Sequence, residues 1–386
     1  GYETIVELLY MALAEQYTSI KHHRKGTFSV PQDIVFAKLH TSQILANKDT
    51  LNPIMEIKDK GTVTMKGPSG TNLKQAYTMV KRSYDEKSVQ IFALGTVDNS
   101  NTGVIKQLSI NPNILSTRGY LNTKEDKSKT TYAQLYSFEE AVVPNLGKDD
   151  PSRANFATIQ TSHLEESLGS HPPLVRTGAE SVLAYKIPEN FVKKSKKEGI
   201  VMDVDTKNKK IFVSYKDGTK DVVEYGMELC RNSNFFVEND LECRVKKGTK
   251  LKAGDILAYN KGWFADEGDN VVYKSGPLAR LVFLENESTE EDSSIMTKEL
   301  ALKMQSGVVK KKCITLRKNT LVHNYKRKGD HVLISEPLMG FEESSEEDTA
   351  KVIDLLGITE EELSNDLLRK TPKANATGEI RDVKIY

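Results

Sequence analysis

Apolar residues recur at helical spacing from the start of the chain: Ile5, Leu8, Leu9, Ala12, Leu13 and Ile20 put one apolar stripe along a helix. The basic stretch His22-His23-Arg24-Lys25-Gly26 ends it. Adjacent histidines point to different faces of any regular element, which argues against one shared metal ion there. Residues 32–50 read as a second helix, broken by Asn52-Pro53. From Lys58 to Ile114 the pattern changes to short β-rich runs punctuated by Gly, Pro, Asn and Ser. Gly67-Pro68-Ser69-Gly70 and Asp98-Asn99-Ser100-Asn101-Thr102-Gly103 are loops by turn chemistry. Their N–H groups could cradle phosphate. Neither has the spacing or the lysine of a P-loop, so ordinary turns are the better reading.

Residues 115–150 are polar with few periodic apolar positions and read as a small insertion. Pro151 to Leu168 reads as a short helix or loop–helix carrying Arg153 and His163. Residues 181–340 are mostly strands, with a hairpin formed by residues 209–215 and 221–225 around Gly218. Gly254-Asp255 and Gly329-Asp330 each precede an apolar strand. Repeated turn-then-strand units suit a small barrel, and two unrelated β-turns fit as well. Leu278 to Leu284 reads as a strongly apolar buried strand. After an acidic run from Glu342, most simply a solvated loop, Thr359 and Glu362 form a capping box for a helix bearing Leu363, Leu367 and Leu368. Ile380 to Tyr386 reads as a strand without a pairing partner, and a helix is already under way at Tyr2. Both features suggest a segment or subunit completed by other polypeptide.

Composition narrows the class. At 386 residues the chain has room for two or three domains. Hydrophobic residues at 38% and charged residues at 28% allow soluble cores and exclude collagen-like, miniprotein or disordered chains. No apolar run is long enough for a membrane span, and no signal-peptide pattern opens the chain. Cys230, Cys243 and Cys313 fit neither a zinc site nor a disulfide framework, which points to a reducing, cytoplasmic setting.

The net charge of +1 hides segregation. Residues 306–329 hold Lys310, Lys311, Lys312, Arg317, Lys318, Lys326, Arg327 and Lys328 without an acid. Such a stripe attracts a phosphate backbone if it folds onto one face, and a solvated surface explains it equally well. Glu285, Glu287, Glu290, Glu291 and Asp292 form the acidic counterpart. Acids at the end of a buried strand are candidates for metal chemistry, although a plain acidic loop is the simpler reading. In extended chain Glu290 and Asp292 share a face, whereas Glu291 and Asp292 do not.

Thr96-Val-Asp-Asn-Ser-Asn-Thr-Gly-Val-Ile105 resembles, without a gap, the TPEGPNIGLI segment of the β subunit of bacterial-type multisubunit RNA polymerase. Asn52-Pro53 with Gly67–Gly70 is similar to that family's NPLSEL…GPGG fork. Asp150-Pro-Ser-Arg153-Ala resembles DANRA, and Pro173-Leu-Val-Arg-Thr177-Gly178-Ala-Glu180 resembles PLVGTGME. Glu291-Asp292-Ser293 with Leu300 resembles YEDAILISERL, and Lys328-Gly329-Asp330 stands where the family has GGDILVGK. The order is collinear over nearly the whole chain. Asp98 replaces the family's TPEGP glutamate, polar residues beside Asn101 replace its proline, and the segment after Leu115 is much shorter. This divergence resembles a phage-encoded polymerase of the large-phage type, whose β subunit is split.

The resemblance implies an α+β, multidomain chain. Residues 1–114 would be a fork-like region and 115–180 a short external insertion with the start of the hybrid-binding region. Residues 181–300 would be a β-rich hybrid-binding and barrel region, and 301–386 the flap base or wall. The implied function is a subunit of a DNA-dependent RNA polymerase, inactive alone, that supplies the nucleotide and RNA–DNA hybrid side of the active site. Arg153 would contact the incoming nucleoside triphosphate, and His163 would stand near the RNA 3′ end in place of the family's glutamine. Asp292, with Glu291, would stand near a second Mg²⁺ that travels with the nucleotide, the primary Mg²⁺ site lying on a partner subunit. Asp98 and Asn101 would line the downstream end of the hybrid, with Lys58, Lys60 and Lys66 as backbone contacts. Implied partners are a β′-like subunit, the rest of β, a promoter-specificity factor, template DNA and the hybrid, with no membrane. The alternative is a non-catalytic nucleic-acid clamp or scaffold that keeps a polymerase-derived fold. A biotinyl- or lipoyl-type carrier would need a lysine exposed on a tight hairpin between the Gly-Asp turns, and none stands there.

Overall fold

The computed structural model describes residues 3–23, 32–41, 51–66, 78–116, 119–122, 126–231, 235–285, 287, 290, 293–316, 320–343 and 371–385. Helices α1 (Glu3–His23) and α2 (Gln32–His40) pack on one another. On the expected stripe Ala12 is buried, whereas Ile5 and Leu9 remain exposed. Asn52 does more than break a helix, because it caps the next one, α3 (Pro53–Gly61). Its Oδ1 accepts from the N–H of Ile54 at 2.8 Å and of Met55 at 3.3 Å. Pro53 fills the first turn, where a missing N–H costs nothing.

Strands β1 (Thr62–Thr64), β2 (Phe92–Thr96) and β3 (Ile105–Leu108) form an antiparallel sheet with β3 in the centre. The short helix α4 (Met79–Arg82) lies between β1 and β2 in sequence. The polar stretch 115–150 contains α5 (Tyr132–Leu135) and α6 (Phe138–Ala141), and Ser137, Glu139, Glu140 and Val142 in it are buried. Its polarity therefore includes carboxylates that serve the interior. Ser137 and Glu140 form the capping box of α6. Helices α7 (Pro151–Ser162) and α8 (Ala179–Lys186) follow. At the start of α8, Gly178 adopts φ +95° and the buried Glu180 carboxylate accepts from the N–H of Thr177 and Gly178. The PLVGTGME-like motif thus closes a helix start.

The β-rich half is built from two four-stranded antiparallel sheets. One comprises β5 (Gly199–Asp205), β6 (Lys210–Tyr215), β7 (Lys220–Glu224) and β10 (Lys250–Leu251) in the order 10-5-6-7. The other comprises β4 (Val192–Lys194), β8 (Met227–Arg231), β9 (Phe236–Cys243) and β11 (Ile256–Asn260) in the order 4-11-9-8. Between them lies a core of Val201, Ile211, Val213, Tyr215, Leu241, Leu251, Leu257 and Ala258. A second core gathers Leu183, Ile187, Phe191, Ile256, Trp263, Phe264, Val271 and Tyr273, from α8, β11 and the hairpin β12 (Phe264–Asp266) and β13 (Val271–Tyr273). Every residue of β11 is buried, and a register shift between Ile256 and Ala258 lets the strand serve both cores. Ile54 of α3 packs into the second core.

Two strand expectations are overturned. The expected strand Ile380 to Tyr386 is not formed over the described residues 380–385, the last strand being Gly378–Glu379. Residues 278–284 belong to no strand, and Leu281, Val282, Phe283 and Leu284 are 77%, 77%, 94% and 68% exposed. Apolarity alone argued for burial there, and nothing among the described residues covers the run. Helix α9 (Lys298–Lys303) follows it.

The chain divides into two compact units at Gly307/Val308. The second unit contains β14 (Thr320–Tyr325) paired with β16 (Met339–Glu343), and β15 (His331–Val332) paired with β17 (Gly378–Glu379). The start of the expected acidic loop is thus the end of a strand, while the expected 359–368 helix lies outside the described residues. Both Gly-Asp turns have one construction. Gly254 and Gly329 take φ +89° and +92°, and Asp255 and Asp330 each accept the N–H three residues back, of Lys252 and Arg327, at 2.7 Å. The α+β class matches the sequence expectation, and the larger unit includes a half-barrel.

Candidate functional site

Helix α7 is the element around which the candidate residues gather. Asp150 caps it by accepting from the Ser152 N–H at 3.0 Å, and Pro151 occupies its first turn. Arg153 follows directly and is exposed. Asn155, one residue pair further, accepts from the Thr96 N–H at 3.2 Å and so ties α7 to the loop after β2. At the other end of α7 the Asn52 side chain donates to the carbonyls of Thr161 at 2.9 Å and Leu164 at 3.0 Å. The single buried amide of Asn52 therefore both starts α3 and holds the end of α7.

His163 is the C-cap of α7 and is exposed. Ten residues separate it from Arg153, about 15 Å along a helix axis. The two can address different parts of one extended ligand but not a single phosphate.

The loop from Val97 to Val104 carries Asp98 and Asn101. Asp98 is exposed, and the Lys66 ammonium donates to Asn101 Oδ1. Arg82 clamps the same loop by donating to the carbonyls of Ser100 at 2.9 Å and Thr102 at 3.2 Å. Thr102 Oγ1 donates to the Val97 and Asn99 carbonyls. Gly103 takes φ +72°, and a Cβ there would come within 2.1 Å of the Arg82 carbonyl oxygen. This close approach is a physical reason for glycine at the position that matches the family motif. Gly103→Ala is expected to destabilise the chain by about 1–2 kcal/mol. Urea unfolding of the two proteins measures it, and unchanged stability would show that the loop relaxes freely.

The three candidate lysines differ. Lys58 is largely buried, pairs with Glu139 Oε2 at 2.9 Å and donates to Ser162 Oγ at 3.2 Å. Lys60 is 60% exposed and 3.6 Å from Glu56. Burial pushes the Glu139 carboxyl above the usual range, and Lys58, followed by His163, pulls it back. Burial likewise raises the Glu140 carboxyl, against the hydrogen bonds from Ser137 and Gly95. Lys58, Gln107, Ser109, Phe138 and Glu139 line a cavity of 220 Å³ beside α3.

The structure thus brings Lys58 and His163 to one end of α7, through Glu139 and Ser162. It joins Lys66 to Asn101 on the loop that also carries Asp98, next to the Thr96 that Asn155 holds. Glu291 and Asp292, the candidate nucleotide-metal ligands, lie outside the described residues. Among the described residues no group of three or more His, Cys, Asp or Glu side chains can hold a metal ion. Among them too, no helix is long and apolar enough to cross a membrane. Asn52, Arg82, Glu139 and Asn155 were not candidates from sequence. Asn52 and the Ser137–Glu140 capping box carried a visible signal, whereas Arg82 and Asn155 act at distances that no local pattern encodes.

A family model described as bacteriophage RNA polymerase matches residues 1–74. The chain is 25% identical to the DNA-directed RNA polymerase subunit beta of Desulfatibacillum aliphaticivorans, over 56% of this chain and 20% of that protein. It is 23% identical to the subunit beta of Orientia tsutsugamushi (strain Boryong), over 70% of this chain and 24% of that protein. With the subunit beta of Caulobacter sp. (strain K31) it shares 29% identity over 47% of this chain and 13% of that protein. The chain therefore spans a quarter or less of these relatives. Its similarity is that of a divergent β-like subunit with a phage RNA polymerase match at one end.

Proposed function

We propose that this chain supplies part of the nucleotide and hybrid side of a multisubunit DNA-directed RNA polymerase, and that it is catalytic only in the assembly. The observation that carries this reading is α7, which presents the DANRA-like Arg153 in its first turn and is tied by Asn155 to the TPEGP-like loop. Thr96 of the TPEGP-like segment donates directly to Asn155, the residue that follows the DANRA-like motif on α7. A guanidinium at an exposed helix start offers a planar fork to phosphate oxygens. His163 faces the RNA end and the 98–101 loop the hybrid. Lys60 and Lys66 provide positive charge, while Lys58 is held inward by Glu139 and serves to position α7.

Asp292, with Glu291, is assigned to the Mg²⁺ that arrives with the nucleotide, the main metal site lying on a β′-like partner. The cation would supply charge neutralisation on the triphosphate. A β′-like subunit, the rest of β, a promoter-specificity factor and nucleic acid are the partners of this reading. A clamp that has lost its chemistry would have no use for Arg153 and Asp292 together.

The purified chain alone is expected to incorporate no nucleotide on a primed template, and activity should appear only when partner polymerase subunits are added. A radiolabelled-nucleotide extension assay reads both. RNA synthesis by the isolated chain, or complete transcription by an assembly that lacks it, would refute the proposal.

A further inference from the structure

The root of the 97–104 loop is held by more than its sheet. Strand β2 is the edge strand beside β3. Phe92 pairs with Leu108 and Thr96 with Lys106, so three residues of β2 face the single Gln107 between those partners. A bulge of this kind breaks the ladder and leaves main-chain groups without a strand partner. Two consecutive N–H groups at the bulge, of Gly95 and Thr96, are taken up by side chains from two helices. The Glu140 carboxylate of α6 accepts from Gly95, and Asn155 Oδ1 of α7 accepts from Thr96 at 3.2 Å. Gly95 has no room for a side chain, since a Cβ there would come within 2.9 Å of Glu140 Oε1. Glu140 is itself fixed, because its Oε2 accepts from the Ser137 N–H at 2.7 Å.

Beyond that root the loop is closed on itself. The Gly103 N–H donates to Thr96 Oγ1 at 3.3 Å and the Asn101 N–H to Asn99 Oδ1 at 2.8 Å. The Val104 and Ile105 N–H groups both donate to the Asn101 carbonyl, at 2.8 and 3.0 Å. With the Arg82 clamp these bonds make 97–104 one body, placed by Gly95 and Thr96. On the other side of the bond, Asn155 and Arg153 stand two residues apart, about 200° around the helix axis. Asn155 is half-buried against the end of β2, while Arg153 is exposed. One turn of α7 therefore carries both the guanidinium and the amide oxygen that places the loop.

We infer that Asn155 is a positioning residue: its amide oxygen sets the 97–104 loop, on the hybrid side, against the helix that offers Arg153 to the triphosphate. The inference rests on the polymerase reading above and adds to it a coupling between the two ligands. A nucleotide seated on Arg153 steadies α7 and, through Asn155 and Thr96, the loop beside the hybrid. By linkage a seated hybrid favours the nucleotide to the same extent. Loss of the acceptor leaves the half-buried Thr96 N–H unpaired and the loop root free to shift against α7. In-line attack is sensitive to small misplacements of the reacting groups. The effect thus falls on turnover, not on nucleotide binding, which Arg153 still provides.

The test uses the assembled polymerase, with rates expressed per extendable complex so that misfolded enzyme drops out. Asn155→Leu, close in size and without the acceptor, should lower kcat about 10-fold and leave the nucleotide KM within about twofold. Asn155→Asp keeps the acceptor and should recover most of the rate. Asn155→Ala adds no bulk, guards against a packing defect of the leucine, and should show the same split. In a halted complex challenged with salt, a non-hydrolysable analogue of the next nucleotide should lengthen the wild-type half-life about fivefold or more. With Asn155→Leu the same analogue should lengthen it less than about twofold. A wild-type kcat in both variants that lack the acceptor, a change confined to KM, or an equal loss in Asn155→Asp would overturn this inference and leave the polymerase reading standing. So would a halted wild-type complex that the analogue does not stabilise. If the wild-type assembly extends no RNA, the polymerase reading itself fails.

Discussion

Arg153→Ala in the assembled polymerase is expected to lower kcat/KM for every nucleotide by about 10²-fold, or about 2.7 kcal/mol. Charge-assisted hydrogen bonds to phosphate are worth about 1.5–3 kcal/mol each, so the loss of a forked pair comfortably covers that figure. The side chain is exposed at the start of α7, so the melting temperature of the chain should hardly move. Template DNA affinity should also persist, because the proposed contact is with the triphosphate. Arg153→Lys keeps the charge and loses the fork, and should recover only part of the activity. Single-nucleotide addition over a range of nucleotide concentrations measures the effect. A normal apparent KM for all four nucleotides would remove Arg153 from the site.

Lys58→Met should have the largest effect on stability, about 3 kcal/mol at neutral pH, because it leaves the Glu139 carboxylate buried without its cation. Burial already raises this carboxyl above its unfolded value, and Lys58 is the main influence restraining it. A carboxyl with a raised folded pKa binds more protons in the folded state. Its contribution is thus fully favourable below the unfolded value of about 4.3, and it is lost as pH rises through the folded value. Removing Lys58 moves that folded value further up, so the penalty should grow from acid towards neutral pH. Glu139→Gln in the Lys58→Met background should restore most of the loss, and a double-mutant cycle across pH isolates the pair. A penalty independent of pH would mean that packing, not charge, holds Lys58 in place.

Much of the architecture was legible in residue patterns because its causes are local. The α7 start follows from Asp150-Pro151, the β6–β7 hairpin from its Gly-containing turn, and the paired Gly-Asp turns from positive φ and an aspartate cap. Asn52-Pro53 carried two meanings, a stop and a start, and pattern alone favoured the first. The 115–150 stretch appeared peripheral because burial of Glu139 and Glu140 depends on partners far along the chain, Lys58 among them. The 278–284 run failed for the opposite reason. Its apolar pattern predicts a buried strand, but no strand forms there and Leu281 to Leu284 are exposed among the described residues. At the candidate site, resemblance identified Arg153 and the 98–103 loop, whereas the bonds that align them, from Asn155 and Arg82, are long-range and have no local signature.

Strand β11 has a consequence for the order in which the protein can be made. Ile54 is buried in a core that also takes in Val142, Leu183, Ile187 and Phe191 and is completed only by Ile256, Trp263, Phe264, Val271 and Tyr273, about two hundred residues downstream. Helix α3 can meet α6 and α7 early, but the core that Ile54 enters stays incomplete until the ribosome has delivered β11 and the β12–β13 hairpin. Contacts of such sequence separation form late and slowly. During synthesis the elements that carry Lys58 and Arg153 are therefore exposed for longer than their early position in the chain suggests. A nascent chain stopped before Ile256 should be digested by protease through α3 and α7, and one released after Tyr273 should resist.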